Sequence, residues 1–160
     1  MSQDPRSIVP QVVPDDQDEL LTTFVENATT SGIKFAITLF VGGTVITGVL
    51  VSGKAFYEDL GNIWDSLAGH SNLPPAQRRA GDIFRKIATE AYALEDTDAP
   101  ARRSSEPRPI PKFIHLENAR FFGAAPGFAI PTTKRGAYWR GKISSVDGFQ
   151  LGYLGGDGEA

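Results

Sequence analysis

Residues 35–53, FAITLFVGGTVITGVLVSG, carry no charge and lie between Lys34 and Lys54. A helix of that length and apolarity could cross a bilayer. The residue types point to a sheet instead. Val, Ile and Thr are stiff at χ1 and suit a pleated strand, and Gly42-Gly43 can supply the positive φ angles of a two-residue hairpin turn. Ile33, Phe35, Ile37, Leu39 and Val41 all fall on odd positions, one face of a period-2 strand. The segment is predicted to be a β-hairpin, with a transmembrane helix as the alternative.

Periodicity also places the other elements. Leu20, Leu21, Phe24, Val25 and Ala28 recur at helical spacing behind Asp15-Asp16, predicting an amphipathic helix over 16–30 that ends at Ser31-Gly32. Beyond Lys54, Phe56, Tyr57, Leu60, Ile63, Trp64 and Leu67 step by three and four, so a second helix is expected, interrupted at Gly61. His70-Ser71-Asn72 and Pro74-Pro75 break it. Ile83, Phe84, Ile87, Ala88 and Ala91 then mark a third helix through about Leu94. KFIHLENARFF restores strand alternation. Two last strands, 136–144 and 149–154, are joined through Val146-Asp147-Gly148, where Asp-Gly signals a hairpin.

This order divides the chain into a flexible Pro-bearing arm at 1–14, a single α+β domain at 15–154 and a tail at 155–160. Within the domain, 55–94 is a helical insert. Residues 95–111, EDTDAPARRSSEPRPIP, are too polar to offset their ordering entropy and are expected to be a flexible loop.

Composition narrows the chemistry. With 160 residues the chain fits one domain, and with no Cys it has neither disulfides nor a thiolate metal site. The start lacks a signal-like basic and apolar pattern, so a cytoplasmic location is expected. The net charge of −3 conceals a division: residues 78–142 hold 13 Lys and Arg against 7 Asp and Glu, while the rest hold 3 against 12. Portions of +6 and −9 can attract one another between copies.

Catalytic signatures are missing from the sequence. There is no GxxxxGK[ST] phosphate loop, no GxSxG elbow and no His or Cys at ligand spacing to His70 or His115. His115, between Ile114 and Leu116, reads as a structural strand residue. The expectation is a protein that is not an enzyme and needs no cofactor or metal. What stands out is a mix of aromatic and basic side chains, Arg120 with Tyr138, Trp139, Arg140 and Lys142, a candidate interaction surface. Core packing is the plainer reading of Trp139.

A helix followed by five short strands fits a small, strongly bent antiparallel sheet with a helical insert between strands 2 and 3, or a closed barrel. GTVITGVL, with Gly43 and Gly48, resembles the first motif of Sm-like barrels, and WRGKISSV resembles the second. That resemblance implies RNA binding as an alternative function, but SGKAFYEDLGN lacks the family's RNA-contact pattern and the net negative charge weakens phosphate attraction.

Three blocks taken together carry a second resemblance: ITLFVGGTVITGVLVSGKAFYEDL, FIHLENARFF and YWRGKISSVDGFQLG. With a hairpin ending Ser52-Gly53-Lys54 and a close at Gly148-Phe149, Leu151-Gly152, the chain resembles gas-vesicle accessory proteins of the GvpU type. The resemblance implies a non-catalytic helper in shell assembly, association or clustering. It would act through contacts with the gas-vesicle shell or other gas-vesicle proteins, and the charge division together with exposed strand edges adds the expectation of a homo-oligomer.

Overall fold

A computed structural model of the chain describes residues 14, 16–69, 74, 79–92, 109–123, 129–131 and 135–154. The arm before Pro14, His70, residues 93–94 at the expected end of the third helix, residues 95–108 of the expected loop and the tail at 155–160 lie outside them. Helix α1, Glu19–Ser31, starts three residues later than the periodicity suggested. Asp18, not Asp15 or Asp16, is its N-cap: Oδ1 accepts from the Leu21 N–H at 2.8 Å, and Gly32 closes the helix at φ 62°. Leu21, Thr22, Val25 and Ala28 face inward, while Leu20, expected in the stripe, is 58% exposed.

The uncharged segment forms the hairpin β1, Phe35–Val41, and β2, Thr44–Val51. Gly42 at φ 53° and Gly43 at φ 79° make its turn, a conformation that side-chain-bearing residues resist. Among the described residues no helix is long and apolar enough to cross a membrane. Helix α2, Gly53–Gly69, and helix α3, Ala80–Ala91, follow. Tyr57 lies beside Tyr92 and Trp64 beside Phe84, so the two helices run antiparallel. The expected interruption at Gly61 is absent. A Cβ on Gly61 would lie 3.1 Å from the Gly81 carbonyl, so the missing side chain serves close helix crossing rather than a break.

Strands β3, Phe113–Phe122, β4, Ala129–Ile130, β5, Ala137–Lys142, and β6, Gly148–Leu151, complete an antiparallel sheet. From one edge to the other the order is β5, β3, β2, β1, β6, with β4 pairing the far end of β3. The Asp-Gly hairpin anticipated between the last two strands does not form. A 3-10 turn, Ile143–Ser145, instead carries the chain from one edge of the sheet to the other. Asp147 accepts from the Gly42 N–H at 2.6 Å, bracing the β1–β2 turn. Four strand spacings span about 19 Å on a flat sheet. The short link from Lys142 to Gly148 includes a 3-10 turn that rises only about 2 Å per residue, so the sheet curls. It stops short of a closed barrel: β5 and β6 do not pair, and the barrel alternative is corrected to an open, bent sheet.

The curl has a local device in β3. Val49 faces Glu117 and Thr47 faces Arg120, so Gly48 alone stands opposite two residues. The β5 ladder shows the same extra residue, between Leu116 and Ala119, and Asn118 sits at φ 53°. This is a β-bulge, which sharpens twist and bend. A Cβ on Gly48 would come within 3.1 Å of the Glu117 carbonyl oxygen and 3.2 Å of the Ala119 Cα.

One face of the sheet packs on α1. Ile37, Leu39, Ile46, Leu50, Ile114 and Leu116 join Leu21, Val25 and Ala28 there, closed at the bottom by Ile143. Each buried Val, Leu or Ile side chain among them contributes roughly 1.5–3 kcal/mol. On the other face Thr38 and Thr47 are buried and bonded to each other at 3.1 Å. The chain after β6 folds over them: the Thr38 hydroxyl donates to the Gly152 carbonyl at 2.8 Å, and the Leu154 N–H donates to Thr47 Oγ1 at 3.4 Å.

Candidate protein-interaction surface

Strand alternation splits the residues that the sequence singled out. On β5, Arg140 stands opposite His115 and Lys142 opposite Phe113, on the face away from α1. Tyr138 shares that face. Trp139 pairs with Leu116 and packs against the core, its ring lying over Gly141, so it supports the strand from behind. Arg120 shares the face of Thr47 beyond the bulge. The structure therefore unites Tyr138, Arg140 and Lys142 as a strip on an edge strand, with Arg140 and Lys142 exposed, and sets Trp139 apart.

The strip is held by neighbours that sequence spacing does not reveal. The Arg140 guanidinium sits 3.4 Å from the centre of the Phe113 ring, a cation–π contact that fixes the long side chain along the sheet. Tyr138 packs edge-on against Phe56 of α2 at 5.6 Å. Burial, then the Asp59 and Glu117 carboxylates, push its hydroxyl above the ordinary tyrosine range, and it stays a neutral donor. Glu117 is itself paired to Lys34 at 3.1 Å.

Behind Arg140 lies His115, only 2% exposed. Phe56 at 4.9 Å, Tyr92 at 5.6 Å and Tyr57 at 5.9 Å wall the imidazole, and the Tyr92 hydroxyl is 3.2 Å from Nε2. Burial, followed by the charge of Arg140, lowers its pKa from 6.5 to about 4, so it is neutral at pH 7. This cluster joins the α2–α3 arm to the sheet. Its partners come from 56, 57, 92 and 115, positions whose proximity no local motif announces. The aromatic stripe of α2 was the one visible signal.

A cleft of about 490 Å³ opens beside the cluster, between the second half of α1, the end of α3 and residues 109–113. Tyr92 and His115 form part of its wall, with Glu26 and Lys112 as its charged groups. Among the described residues no group of three His, Asp or Glu could hold a metal ion.

Comparison with family-wide sequence models matches residues 18–154 to the family described as gas vesicle protein GvpU-like. The chain belongs to that family. The match begins at Asp18, the N-cap of α1, and ends at Leu154, the residue that closes over Thr47. It thus covers the helix, the whole sheet and the α2–α3 arm together. No curated protein and no solved structure matches the chain. Membership makes this a gas-vesicle-associated protein, and the β5 strip and the aromatic cluster are features of the region that the family shares.

Proposed function

We propose that this protein is a non-catalytic accessory factor that contacts the gas-vesicle shell, or other gas-vesicle proteins, through the β5 strip. The family match over the folded region carries the reading. The strip supplies a suitable surface: Tyr138, Arg140 and Lys142 present an aromatic and two cations on a strand stiffened by Trp139 behind and Phe113 beside it. Aromatic and Arg side chains held rigid lose little entropy on docking, the property that concentrates binding energy at interfaces. The Sm-like RNA alternative gains little here, since Trp139 turns to the core and Arg140 covers one face of Phe113.

Purified protein mixed with isolated gas vesicles should float with them on centrifugation. The double variant Arg140→Glu, Lys142→Glu should lower the bound fraction roughly tenfold at low salt, because it reverses the charge of the proposed contact strip. Wild-type protein that stays in the subnatant, or a variant that floats as well as wild type, would refute the proposal.

A further inference from the structure

The curled sheet ends in two unlike edges. β5 pairs only with β3 and β6 only with β1; among the described residues neither has a partner on its outer side. An unpaired edge is a row of backbone donors and acceptors that accepts another strand unless charge, Pro or a cover prevents it. Neither strand contains Pro. β6, Gly148–Leu151, has no charged side chain; its last residue, Leu151, is 57% exposed, and Tyr153 just beyond it is 50% exposed.

The geometry points to a second copy of this chain as the occupant, with β6 of one copy adding antiparallel to β5 of the next. Charge selects this pairing. Two β5 edges would bring Arg140 and Lys142 of both copies together, which like-charge repulsion opposes. A β6 edge offers β5 the uncharged Gln150 and, just before the strand, the carboxylate of Asp147. The same polarity runs through the whole chain, since β5 ends the +6 portion and β6 lies in the −9 portion. Side-chain direction agrees. Phe149 and Leu151 share the core side with Trp139 and Gly141, because Leu151 faces Ile37 across β1 and Trp139 faces Leu116 across β3. Matched by face, Leu151 would cover the edge of Trp139 while Gln150 lies beside Arg140. The four residues of β6 fit within the six of β5. Since the two edges differ, the contact is heterologous: each copy gives one edge and keeps the other open, and growth continues past a dimer unless a ring closes.

This inference goes beyond shell binding and is tested without vesicles, so either can fail alone. Sedimentation velocity of the full chain over a concentration series should show species larger than a dimer, weakening between about 50 and 500 mM salt as screening shortens the reach of the charges. Gln150→Arg, which sets a cation beside Arg140, should weaken association about tenfold. Combining it with Arg140→Glu should restore it. Leu151→Lys should weaken it independently, and urea midpoints of all variants report that the fold is kept. A wild-type monomer, an assembly that stops at a dimer, or Gln150→Arg and Leu151→Lys proteins that associate like wild type would each overturn the pairing.

Discussion

At His115 the imidazole is walled by Phe56 and Tyr57 of α2, by Tyr92 just past α3 and by Arg140 of β5, with Glu117 and Tyr138 one step away on the same face. Its folded pKa of about 4 lies below the unfolded value of 6.5. As pH falls the unfolded chain takes up this proton first. The neutral imidazole's contribution is therefore whole above about pH 6.5 and is lost progressively down to about pH 4. The loss is on the order of 3 kcal/mol. Urea unfolding at pH 7.5, 5.5 and 4 should show wild type losing about that much more than His115→Phe over the same range. A difference between the two that does not change with pH would contradict the role. Alternation in KFIHLENARFF identified His115 as a strand residue with one side inward, but half-burial was all it could give. Full burial comes from α2 and α3 lying over that side, and strand period carries no information about what covers a face. On β5 the candidate surface drawn from the sequence grouped Trp139 with Arg140 and Lys142, and the pairing with β3 puts Trp139 on the opposite face.

The β3 bulge is the element that turns a flat ladder into a bent one. Gly48→Val should force the Glu117 carbonyl and Ala119 backbone away, costing roughly 1–3 kcal/mol as an overpacked contact. A urea midpoint unchanged from wild type would show that β3 yields freely there. The hairpin, α1 and the run of β3 were legible because their signals are local: a Gly-Gly pair, an apolar stripe, a period of two. Three features were not. Asp147-Gly148 has the chemistry of a tight turn, yet it leads away from β5, because the curl of the sheet brings the other edge within reach. Gly61 has the chemistry of a breaker, yet it sits where α3 crosses α2. Asp15 and Asp16 resemble a cap as much as Asp18 does, and only Asp18 has its carboxylate on the Leu21 N–H.

For the molecule as a whole, the strand that completes the sheet beside β1 comes last. Thr38 pairs with Gln150, and buried Thr38 and Thr47 are bonded to Gly152 and Leu154, which follow that strand. Seen on the ribosome, this topology sets a waiting time. The nineteen uncharged residues at 35–53 emerge early, and one of their edges has no strand to meet until residues 148–151 follow about a hundred residues later. At ordinary rates of protein synthesis that interval is about 5–20 s. During it the most apolar part of the chain has an open edge, the condition under which strands pair with the wrong partner. Chains truncated just before Gly148 should therefore aggregate on expression, whereas chains ending at Leu154 should stay in solution, a contrast read directly from the soluble fraction of a lysate. Equal solubility of the two would show that the hairpin is protected from within. If it is not, the protein depends during its own synthesis on whatever shields nascent chains, before it has met any vesicle.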